Sequence, residues 1–98
     1  MIVEFESELW LWDARKGENW TFVSLPVEAS DEIRDLTEGA RRGFGSVRVR
    51  VSVGTSTWQT SIFPGGDAFV LPIKRAVRQA EKLEAGDRAA VTLELLGI

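Results

Sequence analysis

Apolar and polar positions alternate with a period of two over most of this chain, so strands are the elements it predicts first. The cleanest run sets Val47, Val49, Val51 and Val53 against Arg48, Arg50 and Ser52, which sends the valines to a core and the polar set to solvent. Over 2–12 the odd positions Val3, Phe5, Leu9 and Leu11 are apolar, and the even ones begin with Glu4, Glu6 and Glu8. The even face then turns aromatic at Trp10 and Trp12. The alternation points both tryptophans outward, where either the domain's own helix or loop covers them or a partner surface or ligand groove does. A strand over 20–25 stops at Pro26, and the polar stretch DARKGEN at 13–19 joins it to the first strand as a hairpin. Gly54-Thr55 turns the chain into a strand over 56–63, with Trp58, Thr60 and Ile62 on one face. Pro64-Gly65-Gly66-Asp67 is a break, 68–71 a brief strand, and 88–96 a closing strand with Ala89, Val91, Leu93 and Leu95 inward.

Two segments keep helical spacing instead. In the first, Ser30 is the expected N-cap, with Asp31 and Glu32 in the first turn, Ile33 and Leu36 as a short apolar stripe, and Gly39 as the stop. In the second, Pro72 takes the first helical position, and Ile73, Ala76, Val77, Ala80 and Leu83 share one face. After it, Gly86 can take the left-handed conformation that ends a helix. Asp87 can accept bonds from nearby backbone amides and so fix the entry of the last strand, which makes Gly86 and Asp87 a structural turn rather than a catalytic one.

Six strands and two short helices in 98 residues predict one small domain over 1–98, mainly β in an α+β sense, closed or nearly closed as a β-barrel. Trp20 precedes Pro26 by six residues and Trp58 precedes Pro64 by six, an echo that leaves open a pseudo-twofold, six-stranded barrel built from duplicated halves.

Composition narrows the chemistry. With no cysteine, histidine or tyrosine, no thiolate metal site exists and general bases reduce to Asp, Glu and Lys. We expect a cytoplasmic protein, since the first residues show no basic leader or cleavage site and carry Glu4, Glu6 and Glu8. No run reaches the roughly 20 apolar residues of a membrane helix, so no membrane partner is expected. A Ser61 and Lys74 dyad is conceivable as hydrolytic chemistry, yet nothing in its spacing brings the pair together. We therefore expect no enzyme, no catalytic residues, no metal site and no cofactor.

The net charge of −3 is unevenly spread, with ten acidic and three basic side chains over 1–38 and five acidic and nine basic over 39–98. Opposite charges on neighbouring strands could consume the asymmetry, or a basic face could remain for an anionic ligand. A pI near 4.9 makes nucleic acid an unlikely partner. One place breaks local rules: Leu71 gives the second helix no side-chain cap, and Lys74 and Arg75 put positive charge against its dipole, with Lys74, Arg78 and Lys82 at four-residue spacing. Free amides and cations would converge there on a phosphate or carboxylate, with Ile73, Lys74, Arg75 and Arg78 as the anion-site candidates. The competing expectation is that Glu81, Glu84 or a carboxylate from the acidic half neutralises the stripe. Trp10, Trp12, Arg48 and Arg50 are the candidates for an interaction surface.

The Gly-Asp turn before the terminal strand resembles that of swapped-hairpin and double-split barrels, the group of the bacterial transition-state regulators and antitoxin DNA-binding domains. Three segments, WTFVSLP at 20–26, GFGSVRVRVSVGTSTWQTSIFP at 43–64 and LPIKRAVRQAEKLEAGD at 71–87, resemble the bacterial domain-of-unknown-function family numbered nineteen hundred and five. That resemblance implies a double-split barrel, found alone or ahead of a segment similar to bacteriocin-protection proteins, which these 98 residues do not include. It implies no activity. The expected function is a non-enzymatic binding or interaction module, monomeric or homodimeric, for a protein or a small anionic ligand. The alternative is a DNA-associated regulator using Arg41, Arg42, Arg48 and Arg50, a reading that rests on fold analogy alone.

Overall fold

The computed structural model describes residues 1–15, 18–39 and 45–97, with backbone alone at 13–15, 18 and 19. Seven strands, β1 (Ile2–Glu8), β2 (Trp10–Arg15), β3 (Glu18–Ser24), β4 (Val47–Val53), β5 (Ser56–Gly65), β6 (Ala68–Pro72) and β7 (Arg88–Leu95), are joined by helices α1 (Val27–Thr37) and α2 (Arg75–Glu81). All ladders are antiparallel, in the order β1-β7-β4-β5-β6-β3-β2. The sheet curls into a half-barrel. β5 serves both halves: residues up to Ile62 pair with β4, and Phe63 to Gly65 pair with β6.

The first expected strand is two. Alternation runs unbroken through Leu9, but β1 pairs with β7 and β2 with β3, so the two ends of the strand order are neighbours in the chain. The break is held from afar. Leu9 N–H donates to the Asp87 carbonyl at 2.8 Å, and Gly86 N–H donates to the Leu9 carbonyl at 2.8 Å. Gly86, at φ 99°, and Asp87, whose carboxylate accepts from the Glu84 amide at 3.0 Å, thus form a turn that clasps the corner. Leu9 itself is fully buried.

The core lies on the concave face. Val47, Val49, Val51 and Val53 of β4 and Ala89, Val91, Leu93 and Leu95 of β7 are all buried, together with Val3, Val23, Ile62, Phe69 and Leu71. Leu11 departs from the expectation: it is 49% exposed, because β2 carries the chain away from β1 and past the core. Pro64 does not break the chain either. It pairs with Phe69 within β5, and the hairpin turns at Gly66-Asp67 alone. The segments 20–26 and 58–64 are therefore not equivalent in place, since Pro26 precedes a helix and Pro64 sits inside a strand.

Both helices differ from expectation at their starts. Ser30 is no N-cap: α1 begins at Val27 behind Pro26, and the buried Ser30 hydroxyl accepts the Phe69 N–H at 3.0 Å, tying α1 to β6. The buried face is Ser30, Ile33 and Thr37, with Leu36 52% exposed. Arg34 fastens the same helix to the β5–β6 turn by donating to the Gly66 and Asp67 carbonyls at 3.2 and 2.8 Å, with its guanidinium 5.5 Å from the Phe69 ring centroid. Pro72 likewise ends β6 opposite Phe22 rather than opening α2, which starts at Arg75 behind Lys74. Only Val77 of α2 is buried, and Ala76 and Ala80 are exposed. Lys82, in the left-handed conformation at φ 56°, ends the helix before Gly86 is reached.

Candidate functional site

The period that buries Thr21, Val23 and Leu25 turns Trp20 and Phe22 to the convex face of β3. Register places Trp12 opposite Trp20 and Trp10 opposite Phe22, so the outer face of the β2–β3 hairpin is aromatic. Trp10 and Phe22 lie 5.1 Å apart between ring centroids at 31°, and Phe22 and Trp20 lie 6.2 Å apart, stacked at 14°. The row is anchored at one end, where the Trp10 indole N–H donates to the Ser24 hydroxyl at 3.0 Å. Trp10 is half-buried by its own sheet, whereas Trp12 and Trp20 stay 50% and 54% exposed.

At its other end the row meets the basic segment. Trp20 and Thr21 of β3, Pro72 of β6, and Ile73, Lys74, Arg75 and Arg78 line one surface cavity of about 270 Å³. The β3–β6 ladder brings them together: Phe22 pairs with Pro72, and Ile73 N–H donates to the Thr21 carbonyl at 2.8 Å just beyond the ladder. That bond also corrects the expected anion site. The Ile73 amide is already used, Pro72 has none, and a helix of seven residues beginning at Arg75 offers no array of free amides. What remains is side-chain charge. Arg78 is held in place by its Nε, which donates to the Ile73 carbonyl at 3.1 Å. Lys74, which precedes α2, and Arg75, its first residue, are both exposed.

Glu81, the first carboxylate expected to neutralise the stripe, is engaged elsewhere, and among the described residues no ion pair joins Glu84 to it. Glu81 reaches the β4–β5 turn, accepting from the Thr55 amide and hydroxyl at 3.4 and 3.2 Å and from the Ser56 hydroxyl at 2.7 Å. The Ser56 hydroxyl, first, holds the Glu81 carboxyl below its ordinary value; desolvation opposes it, and the Thr55 amide and hydroxyl add smaller lowering contributions. Among the described residues the ion pairs are Arg34–Asp31 at 2.8 Å, Arg50–Glu94 at 3.0 Å and Arg88–Glu6 at 3.4 Å. Only the last joins the acidic and basic parts of the chain, and none involves Lys74, Arg75 or Arg78.

The other candidates fall apart in space. Arg48 and Arg50 lie on β4, four strands along the sheet order from β2 with Trp10 and Trp12, so the expected four-residue surface is not one surface. Arg50 is paired with Glu94, and Arg48 donates to the Ser61 hydroxyl at 3.4 Å. Ser61 thus belongs to the β4–β5 ladder, and Lys74 to the cavity. Arg41 and Arg42 lie outside the described residues. Trp20 joins the site without having been among the expected residues. Its signal was present, since the parity that turned Trp10 and Trp12 outward does the same to Trp20 and Phe22.

A half-barrel of seven antiparallel strands with two helices, carrying an aromatic row that runs into a cationic cavity, defines a small mainly-β domain. The chain belongs to the family described as Domain of unknown function (DUF1905), whose model matches residues 5–93 and so spans all three segments that carry the resemblance. No curated protein matches the chain. Among the described residues no helix is long and apolar enough to cross a membrane.

Proposed function

We propose that this protein is a non-enzymatic binding module whose ligand is a small anion held in the cavity between Trp20 and α2. The observation that carries the reading is the meeting of Lys74, Arg75 and Arg78 around one cavity of about 270 Å³, with no carboxylate paired to any of the three among the described residues. Three cations left together repel one another, and an anion relieves that repulsion while gaining charge-assisted hydrogen bonds. The cavity is small for a macromolecular groove. Arg48 and Arg50, which a DNA-associated role requires, are already engaged within the sheet. A cytoplasmic, bacterial setting fits a chain without cysteine and belongs to the same proposal.

Isothermal titration with inorganic phosphate at low salt tests the reading. Saturable binding that weakens with added chloride is expected, because exposed charges are screened over about 10 Å at 0.1 M salt. Lys74→Gln with Arg75→Gln, both at exposed positions, should weaken it without altering the fold. Binding unchanged in that double variant would place the anion elsewhere.

A further inference from the structure

We infer that the ligand of this cavity is a planar aromatic anion, its ring seated on the Trp20 indole and its charged group among Lys74, Arg75 and Arg78. The inference rests on the anion-binding reading above and adds the part of the ligand that the cations do not explain. Trp20, 54% exposed, lines the cavity beside the cations. A wall for a bare inorganic anion needs donors, and a tryptophan ring face offers none.

The indole is also braced. Trp20 stacks on Phe22 at 6.2 Å and 14°, Phe22 packs on Trp10 at 5.1 Å, and Trp10 is pinned through its N–H to Ser24 at 3.0 Å. A ring held this way yet 54% exposed is a preorganised stacking surface, which loses little freedom when a second ring covers it. The cavity of about 270 Å³ lies just under the roughly 300–1,000 Å³ of drug-sized sites, so it suits one ring system with one anionic group. Nucleoside monophosphates and aryl carboxylates share this chemistry, a π face and a negative group a few bonds apart. Arginine favours either group through paired N–H donors.

Isothermal titration of the full chain with AMP, ribose 5-phosphate, adenosine and 2-naphthoate separates the contributions. AMP or 2-naphthoate should bind more tightly than ribose 5-phosphate by between about 5-fold and about 150-fold, the factor a base–aromatic stack supplies. Whichever of the two shows that advantage names the source. Trp20→Ala should remove the advantage, leaving AMP and 2-naphthoate no tighter than ribose 5-phosphate, and Trp20→Phe should retain part of it. Ribose 5-phosphate binding as tightly as both aromatic anions would overturn the inference and leave the anion site standing. Adenosine binding as tightly as AMP, with 2-naphthoate no tighter than ribose 5-phosphate, would also overturn it, since the charge would then not be read. Saturable binding of none of the four would overturn both readings.

Discussion

Replacing Ser30 by alanine isolates the contact that docks α1 on the sheet. The Ser30 side chain is fully buried, its oxygen accepts the Phe69 N–H at 3.0 Å, and Phe69 is itself fully buried. Removing that oxygen opens almost no cavity, and it strands a backbone donor where water does not reach. An unsatisfied buried polar group costs about 1–3 kcal/mol, a large share of the roughly 5–15 kcal/mol that holds a domain of this size. At about 4–8 °C per kcal/mol for a domain of 60–100 residues, a loss near 2 kcal/mol corresponds to a melting point lower by about 8–16 °C. Urea unfolding should show a lower midpoint with an unchanged slope. Thr37→Val is the matched control. Thr37 is as buried as Ser30, but its hydroxyl donates within its own helix, to the Ile33 carbonyl at 2.6 Å, so the valine strands no amide and should cost less than about 1 kcal/mol. Equal losses in the two variants, or a Ser30→Ala midpoint indistinguishable from the parent, would refute the docking role.

Three further outcomes follow from the same geometry. Leu9→Ala, at the fully buried corner between β1 and β2, should cost about 2–5 kcal/mol in urea unfolding, and a loss under about 1 kcal/mol would mean that the corner is not part of the core. Gly54→Ala forces an L side chain into φ 59°, with its Cβ against the Glu81 carboxylate; at least the roughly 1–2 kcal/mol of the left-handed conformation should be lost, and a neutral result would contradict the clasp between α2 and the β4–β5 turn. That clasp also sets a pH dependence. The Glu81 carboxyl is held below its ordinary value of 4.5 in the folded state, so its contribution is complete above the unfolded value and is lost as pH falls through the lowered folded value. Between pH 7 and acid conditions the parent should therefore lose more stability than Glu81→Gln, and parallel losses would show that the hydrogen bonds to Thr55 and Ser56 do not favour the ionised form.

What could be read from the sequence was what local periodicity controls. The β4 valines and the inward set of β7 are buried where alternation put them, because a strand with one buried face has only one acceptable register. The division at Leu9 had no local sign, since its cause is a pair of hydrogen bonds to residues 86 and 87. Ser30 and Pro72 misled for a common reason. Each suits a helix start by its own preference, and each is claimed by the sheet instead, Ser30 through the Phe69 amide and Pro72 through its pairing with Phe22. At the site, the cations at 74, 75 and 78 were legible as a cluster that strains local rules. Parity also turns Trp20 outward, but its place beside them had no local sign, because only the β3–β6 pairing brings a residue more than fifty positions away to the same cavity.

Amide and indole chemical-shift mapping of the ¹⁵N-labelled protein with AMP locates the ligand on the surface without any substitution. The Trp20 indole N–H and the backbone amides of Thr21 and of residues 73 to 78 should shift together along one saturable curve. Shifts centred on Arg48 and Arg50, or none along the cavity wall, would contradict that location.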